Sequence, residues 1–472
     1  MRLRFFAVSL LCLAAGTAGA QAGKSAQAGK SPELRIDYTE ETLPNGLHVI
    51  YHVDHSTPVA AVLVMYNVGS KNEEPGKTGF AHLFEHMMFK GSKNVADGQH
   101  WALLEAAGGR AGADINGTTS WDRTNYFEQV PSNQVELALW LESDRMATLT
   151  ETLTQAKLDN QRDVVKNERR QSYDNQPYGT WSERAPAALF PEGHPYHHST
   201  IGSMADLSAA SVEDVRSFFK TYYAPNNAVL VIAGDIDVPQ TKAMVRQYFG
   251  SIPRGPAVPR LSDMSLPALI GREQRIVVVD SQAPAPAVFV AYRVPSAKDR
   301  RAPVVGLLGD VIGGGQSARL QEALVRRQQI ATNVFGGNFG LVDGADMLFF
   351  AAIGKPGSSA DSLEKAILGE LAGASSFTQS ELERARASER FGFVNGLQTT
   401  GGFQGRADRL AEGWTYYRDA NHVNRVLREY DRVTLADLNE LARERLVPAN
   451  RVTLVFVPVK KAPTSTSSTR AP

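Results

Sequence analysis

Cysteine is almost absent from this chain, since Cys12 is the only one among 472 residues. It lies in the apolar segment near the N-terminus, so the rest of the chain has no thiol. A chain without paired cysteines forms no internal disulfide, and any metal site in it must use nitrogen or oxygen ligands. The absence excludes the disulfide-rich secreted domains and the cysteine-ligated zinc modules.

Net charge is absent as well, because 50 acidic residues balance 50 basic ones. Proteins that bind nucleic acid usually carry a basic patch, and no stretch of this sequence has a dense basic cluster. We therefore expect no nucleic-acid partner.

A long apolar segment is also missing. Residues 5–15 are apolar, but a membrane span needs about 20 such residues. With Arg2 and Arg4 before them and the small residues 18–20 after them, they predict a signal peptide that is cleaved after Ala20. We expect a periplasmic or secreted protein whose mature chain has no transmembrane anchor.

The sequence does contain the run His-Leu-Phe-Glu-His at residues 82–86. Residues four apart lie on one face of a helix, so His82 and His86 can bind one metal ion with Glu85 beside them. This is the H-x-x-E-H pattern of inverted zinc peptidases. The alternative is a helix with two histidines on a polar face, but apolar residues surround the run. The pattern predicts a catalytic zinc site that needs one more protein ligand.

The third ligand must come from elsewhere in the chain. Residues 155–170 have the composition of a helix, and Glu168 lies near its end. Asp159 and Asp163 compete with Glu168 as carboxylate donors, and most glutamates are simply exposed. Spacing alone leaves this choice open. Surface or packing roles are expected for five other histidines, His48, His52, His55, His197 and His198.

Five segments occur in order along the chain: GFAHLFEHMMFKGS, GADINGTTSWDRTNYFEQVPS, QRDVVKNERRQSYDNQPYG, HPYHHSTIGSMADLS and YYAPNNAVLVIAGDID. Together they resemble the pitrilysin/insulinase family of zinc metallopeptidases, and within it the bacterial branch that is similar to mitochondrial processing peptidase. The resemblance runs from about residue 35 to residue 460, which is nearly the whole mature chain.

The resemblance implies a zinc-dependent endopeptidase with one zinc ion per chain. It implies that Glu168 joins His82 and His86 as the third ligand, and that Glu85 is the general base on a zinc-bound water. Family members often have a second glutamate seven residues before the third ligand, where this chain has Gln161. We expect Gln161 to hydrogen-bond a ligand and to tune the metal affinity.

Residues 115–128 read as one strand that is rich in threonine and aromatic residues. The resemblance implies an edge strand that lines the active site, where a peptide substrate binds by adding a strand. Asn116 and Gly117 occupy the positions of the two residues that contact the substrate in the family. The alternative is that Asn116 is an ordinary turn residue without a role in substrate binding. We expect the substrates to be peptides or unfolded polypeptides.

The chain contains an internal repeat. Residues 54–70 align with 280–296 at an offset of 226, and residues 211–231 align with 434–454 at an offset of 223. The second copy has lost each proposed site residue. At the offset of 226, the counterparts of His82, Glu85, His86 and Glu168 fall on or near Leu308, Val311, Ile312 and Val394.

The repeat predicts two homologous α+β domains, each a mixed, mostly antiparallel sheet with helices on one face. The resemblance implies that together they form half of a clam-shell chamber. The predicted organisation is a signal peptide over 1–20, a flexible leader over 21–34, the zinc-binding catalytic domain over 35–250, a linker over 251–270, the homologous non-catalytic domain over 271–459 and a disordered tail over 460–472.

Self-sufficient members of the family carry an arginine and, seven residues later, a tyrosine in the second half. Val325 and Thr332 occupy those places here, and the adjacent Arg326 and Arg327 are either substitutes or a solvated charge pair. We therefore expect a homologous second subunit to supply the Arg/Tyr pair, in a heterodimer rather than a homodimer. The alternative is a zinc-binding but non-catalytic structural or peptide-binding subunit of a hetero-oligomer.

Overall fold

Apolar strands in the first half of the chain form a mixed sheet in a computed structural model that describes residues 34–261 and 263–459. The strands are β1 (Thr39–Thr42), β2 (His48–Val53), β3 (Val59–Tyr66), β4 (Ile115–Thr119), β5 (Thr124–Pro131) and β6 (Ala228–Gly234). Their order is β1-β2-β6-β3-β5-β4, with β2 and β6 parallel and the other neighbours antiparallel. β4 therefore lies at an edge of the sheet. The predicted signal peptide, the leader before residue 34 and the tail 460–472 lie outside the described residues.

Eight helices follow or interrupt these strands: α1 (Phe80–Met87), α2 (Gln99–Ala106), α3 (Val135–Thr148), α4 (Gln155–Arg169), α5 (Trp181–Leu189), α6 (Met204–Ala209), α7 (Val212–Tyr222) and α8 (Val238–Phe249). A π-helical turn, Arg170–Asp174, continues α4. Val64 and Tyr66 of β3 pack with Phe84 of α1 and Leu139 of α3 in the core on this face of the sheet. Burying a valine, leucine or phenylalanine side chain in this way stabilises the folded state by about 1.5–3 kcal/mol relative to leaving it exposed.

The second half repeats this plan with five strands, β7 (Gln274–Asp280), β8 (Ala287–Pro295), β9 (Ala331–Asn338), β10 (Ala345–Gly354) and β11 (Arg451–Pro458). Their order is β7-β11-β8-β10-β9. Its helices are α9 (Ala302–Gly313), α10 (Ala360–Ala372), α11 (Gln379–Gly396), α12 (Arg406–Tyr417), α13 (Val426–Arg432) and α14 (Leu435–Arg445), with a π-helical segment at Gln321–Arg327. Short 3-10 turns lie at Ser70–Asn72, Ser132–Gln134, Leu149–Glu151, Pro225–Asn227, Ala420–Asn424 and Pro448–Asn450.

The internal repeat is visible in matching hydrogen bonds. Asn227 precedes β6 and Asn450 precedes β11, and both side chains are buried. The Nδ2 group of each donates to two backbone carbonyl oxygens, those of Tyr222 and Asn67 in the first half and those of Arg445 and Arg293 in the second. These partners are related by the same offsets of 223 and 226 as the sequence repeat.

Each sheet is covered on its second face by a helix from the other half. Leu410 of α12 packs with Leu63 of β3, and Leu189 of α5 packs with Phe289 of β8. The expectation of helices on only one face is therefore wrong. Every residue of β6 and of β8 is buried, which is typical of strands that are covered on both faces.

Residues 115–128 form a hairpin rather than one strand, so that expectation is also wrong. β4 pairs antiparallel with β5, from Ile115 opposite Glu128 to Thr119 opposite Thr124. The turn between the two strands is closed by Ser120, whose Oγ accepts hydrogen bonds from the backbone N–H groups of Asp122 and Arg123.

The described residues between α8 and β7 form neither helix nor strand. The domain boundaries predicted around 251–270 stay a prediction. Along the described part of the chain, no helix combines the length and the apolar character that crossing a bilayer requires.

Candidate metal centre

The helix α1 carries the three residues of the H-x-x-E-H run, His82, Glu85 and His86. Leu83 and Phe84 of this helix are buried in the core of the first half. His82 and His86 lie one turn apart on another face, with ring centroids 4.8 Å from each other. Glu85 is 9% exposed, so its carboxylate lies in a mostly dry environment. The local spacing therefore brings the two imidazoles together, as the sequence predicts.

The N-terminus of α1 is held by a carboxylate from outside the helix. Gly79 precedes α1 with φ of 88°, a left-handed conformation that favours glycine. Glu73 accepts hydrogen bonds from the N–H groups of Gly79 at 2.9 Å and Ala81 at 2.7 Å. His198 Nε2 lies 2.9 Å from Glu73 Oε2. Glu73 thus satisfies helix donors and places negative charge at the positive end of the helix dipole.

Glu168 of α4 reaches the two histidines from the neighbouring helix. Its Oε2 lies 3.6 Å from His82 Nε2 and 3.4 Å from His86 Nε2. Among residues 34–261 and 263–459, these three side chains are the only group of three or more metal-ligating residues with donor atoms this close, all within 4.8 Å of one another.

The spacing and the donor chemistry of these three residues fit a zinc ion. Two ligands held about 2.1 Å from one tetrahedral ion lie about 3.4 Å apart. The two nitrogen–oxygen distances, 3.4 and 3.6 Å, match this value. Two imidazoles and one carboxylate also form the ligand set of several catalytic zinc sites, which keep a fourth position open.

The electrostatics of the cluster favour metal-binding protonation states for two of the three residues. Burial and the neighbouring His86 lower the pKa of His82 to about 4, which favours the neutral ring. A hydrogen bond with His86 lowers the pKa of Glu168, and burial acts against this effect. Burial also lowers the pKa of His86, but Glu168, Glu85 and Gln161 together raise it. His86 therefore attracts a proton that a metal ion would have to displace.

Glu85 contacts the edge strand β4. Thr119 Oγ1 donates a hydrogen bond of 2.6 Å to Glu85 Oε2. A methyl group at Gly117 would lie 3.1 Å from Glu85 Cγ and 3.2 Å from Glu85 Oε1, so the carboxylate packs directly on the glycine. Burial raises the pKa of Glu85, and the hydrogen bond from Thr119 acts in the opposite direction.

Gln161 lies on the site side of α4, whereas the competing carboxylates do not join the site. The side chain of Gln161 is buried and helps to raise the pKa of His86, and its Nε2 donates to Asn160 Oδ1 at 2.7 Å. Asp159 accepts hydrogen bonds from Gln155 and Arg162, and Asp163 is exposed. The structure therefore brings Glu168 rather than Asp159 or Asp163 to the histidines.

The predicted substrate-contacting pair lies on β4 next to the cluster. Asn116 Nδ2 donates to Gly112 O at 3.0 Å, and Asn116 Oδ1 accepts from Gly117 N at 2.9 Å. These bonds hold the start of the edge strand. Substrate contact by Asn116 and Gly117 stays a prediction.

The second half has no counterpart of this cluster among its described residues. Leu308, Val311 and Ile312 are buried in the core of that half, whereas Val394 is 37% exposed. Val325 packs against the same core, and Thr332 Oγ1 donates to Ile353 O at 3.2 Å. Neither side chain is a cation or a phenol, the groups that the resemblance expects at these two places. Both adjacent arginines are committed to their own half, Arg326 to Glu322 and Arg327 to Glu370.

Three residues that hold the site were not predicted from the sequence. Glu73 and Thr119 have no motif around them, and His198 was expected to have only a surface or packing role. Glu73 comes six residues before the left-handed Gly79, so an acidic residue shortly before a glycine-initiated helix was the available signal. Thr119 lies two residues after Gly117 and therefore on the same face of a strand, which the alternation rule predicts.

Each half of the chain matches a profile of a known protein family. The family profile described as "Insulinase (Peptidase family M16)" matches residues 48–194, and the profile described as "Peptidase M16 inactive domain" matches residues 209–389. The zinc protease PqqE of Helicobacter pylori is 30% identical over 427 residues, which cover 88% of this chain and 92% of that protein.

Two solved structures have the same fold. The crystal structure of a protease from Helicobacter pylori superimposes with a TM-score of 0.82 at 28% identity and covers 90% of this chain and 100% of that chain. The periplasmic protease PqqL from Escherichia coli gives a TM-score of 0.71 at 20% identity and covers 90% of this chain but 48% of that one. These likenesses confirm the predicted fold class of two mixed, helix-covered sheets.

Proposed function

Because the chain belongs to the insulinase family of peptidases, peptidase family M16, we propose that it is a zinc-dependent endopeptidase or the zinc-bearing subunit of one. Its substrates are peptides or unfolded polypeptides. The membership was expected from the sequence segments and is confirmed. Zinc is supported by the name of the PqqE relative, a zinc protease, and by the fit of the three candidate ligands.

One observation carries the proposal: His82, His86 and Glu168 converge from two helices beside the buried Glu85. A purely structural cluster of two histidines and a glutamate would not need a second carboxylate on the same helix face. Zinc peptidases need this arrangement, because one group must move protons while the others hold the metal.

In the proposed mechanism His82, His86 and Glu168 hold zinc. A bound zinc ion supplies a Lewis acid that makes water more acidic and polarises a carbonyl group. Glu85 takes a proton from the attacking water and returns it to the leaving amine, as general base and then as general acid.

The substrate binds along β4 in this proposal. Among the strands of the described residues β4 pairs with β5 alone, and an isolated bridge from Ala111 occupies its other edge at Ile115. The rest of that edge, from Asn116 to Thr119, can accept a peptide strand. Main-chain hydrogen bonds then supply affinity with little demand on the substrate sequence. Asn116 and Gly117 contact the bound peptide.

The test uses the protein tagged at its C-terminus and purified from the cells that naturally encode it, so that any bound partner is retained. Cleavage of a quenched mixed-peptide substrate is measured together with the zinc content and a chelator control. For Glu85→Gln we expect an unchanged zinc content and a kcat about 100-fold to 10,000-fold lower, the usual contribution of a general acid–base group.

Glu105→Gln is the matched control, because Glu105 is an exposed glutamate on α2. It should keep the parental rate. A Glu85→Gln variant that cleaves at a near-normal rate would show that Glu85 is not the base. Cleavage that persists in the chelator would contradict a zinc mechanism.

We also propose a homologous partner subunit. It is supported by Val325 and Thr332 at the places of the family's Arg/Tyr pair, and by the ion pairs that bind Arg326 and Arg327 to their own half. The partner would carry the arginine and the tyrosine that steady the substrate. Mass spectrometry of the purified complex tests this directly, and an active homodimer contradicts it.

The same purification separates the second candidate function, a zinc-binding but non-catalytic peptide-binding subunit. That candidate predicts zinc on the chain and bound peptide but no cleavage, even in the complex that the native cells provide. The endopeptidase predicts chelator-sensitive cleavage by that complex.

A periplasmic location completes the proposal. It is supported by the N-terminal sequence and by the description of the PqqL structure as a periplasmic protease. N-terminal sequencing of the purified protein should begin at Gln21, and cell fractionation should recover it with periplasmic markers. An intact Met1 in a cytoplasmic fraction would contradict it.

A further inference from the structure

Both oxygens of the Glu85 carboxylate contact one strand. Thr119 Oγ1 donates to Oε2 at 2.6 Å, a length typical of a hydrogen bond to an ionised carboxylate. Oε1 lies over Gly117, where a methyl group would come within 3.2 Å of it. Residues 117 and 119 are two apart on β4, so they face the same side of the strand, toward α1.

A glutamate carboxylate has little preference of its own for one orientation. Its last torsion is broad, so an unrestrained carboxylate turns freely about its Cγ–Cδ bond. A general base must instead be aligned with the proton that it removes, and small misplacements are costly to the rate. Gly117 leaves the space for the carboxylate, and the Thr119 hydroxyl supplies the directional contact.

The turn that follows Thr119 is held in place by both halves of the protein. Thr119 ends β4, and this turn contains Asp122. Asp122 Oδ1 accepts from Lys71 Nζ at 2.8 Å and from Tyr196 Oη at 2.6 Å, while Oδ2 accepts from Val342 N of the second half at 3.2 Å. The Thr119 hydroxyl therefore projects from a strand end that is anchored by buried charge.

We propose that Thr119 is a positioning residue for the Glu85 base: its hydroxyl fixes the orientation of the carboxylate beside His82, His86 and Glu168. This inference rests on the proposed function. It assigns to the edge strand a second role besides substrate binding, because the strand that receives the peptide also aligns the group that moves the proton.

The test compares Thr119→Val, which removes the hydroxyl at nearly constant shape, with Thr119→Ser, which keeps it. Both are measured in the natively purified protein with the quenched peptide. For Thr119→Val we expect kcat to fall about 10-fold to 100-fold with KM almost unchanged, as for lost alignment of a catalytic group. Thr119→Ser should restore most of kcat. Zinc content should equal that of the parent protein in both.

A double variant separates positioning from a general structural effect. If Thr119 acts through the Glu85 carboxylate, Thr119→Val should change the residual rate of Glu85→Gln much less than that of the parent protein. Thermal unfolding of each variant checks folding, and Thr119→Ala is the second hydroxyl-free variant if the valine variant does not fold.

The outcomes distinguish the inference from the function on which it rests. An inactive parent complex overturns the proposed function and this inference with it. An active parent whose Thr119→Val and Thr119→Ala variants keep the parental kcat overturns the inference alone, as does a serine variant impaired as strongly as the valine variant. Loss of zinc from Thr119→Val would also overturn it, because the hydroxyl would then support the metal site rather than the base.

Discussion

Replacing Gln161 with leucine tests how α4 tunes the metal centre. Gln161 is buried seven residues before Glu168, which places it two turns away on the same face of the helix. Its Nε2 donates to Asn160 Oδ1 at 2.7 Å, and its side chain helps to raise the pKa of His86. Leucine has a similar size but no polar group, so the substitution removes this influence on a proposed ligand.

The expected effect is on zinc affinity rather than on the fold. Removing the outer hydrogen-bond partner of a metal-binding histidine typically weakens metal binding about 10-fold to 100-fold, or about 1.4–2.8 kcal/mol. Gln161→Glu should act in the opposite direction, because a carboxylate acceptor makes the imidazole a stronger ligand. Neither substitution should greatly change the free energy of unfolding of the metal-free protein, since the site accepts side chains of this volume.

The measurement is a zinc dissociation constant from competition with a fluorescent chelator at neutral pH. Gln155→Leu is the control, since Gln155 is exposed at the start of the same helix and bonds only with Asp159 among the contacts described for its side chain. Equal dissociation constants for the parent, Gln161→Leu and Gln161→Glu would refute the reasoning, because Gln161 would then have no influence on His86 as a ligand.

Two further predictions concern stability. Arg145→Met should lower the free energy of unfolding by about 3–5 kcal/mol in urea titrations, because it leaves Glu128 and Glu142 buried without their cation. Burial raises the pKa of Glu142 to about 8 in the parent although the Arg145 charge lowers it, so the stability tied to the protonated form is present below the unfolded pKa and is lost as pH rises through about 8. Without Arg145 the pKa of Glu142 rises further, so the variant goes on losing stability above that pH. The deficit of Arg145→Met should therefore be larger at alkaline than at mildly acidic pH, and an equal deficit would contradict this. Asn450→Ala should cost about 2–4 kcal/mol, because it leaves two buried carbonyl groups unsatisfied, and Asn227→Ala should cost nearly the same; clearly unequal losses would show that the two networks are not equivalent.

The helical spacing of His82, Glu85 and His86 is a local property, so it could be predicted without knowledge of the fold. The loss of the site in the second half could also be predicted, because the repeat aligns these residues with apolar ones. The choice of Glu168 as the third ligand needed the resemblance, since Asp159 and Asp163 lie on the same predicted helix and spacing alone did not separate them. Only the packing of α4 against α1 separates Glu168 from Asp159.

The burial of β6 and β8 on both faces has a signal in the sequence, but the source of the covering helices has none. The continuous apolar runs of β6 and β8 are typical of strands that are covered on both faces, yet the covering helices α5 and α12 come from the opposite halves. A repeat predicts that two similar units exist. It does not predict that each contributes a helix to its neighbour, because that exchange depends on how the two sheets pack.

The amino-acid sequence by itself determined the family, the identity of the helix that carries the histidines and the loss of the metal-ligand residues from the second half, because these depend on residues that are near each other along the chain or on the repeat. Tertiary packing supplied the rest of the site. It brought Glu168 to His86, which is 82 residues away along the chain, and Thr119 to Glu85, which is 34 residues away. It also brought Glu73 to the start of α1, six residues later at Gly79. Contacts between different helices and strands follow from the burial of apolar faces against one another, and no spacing rule within one segment encodes them.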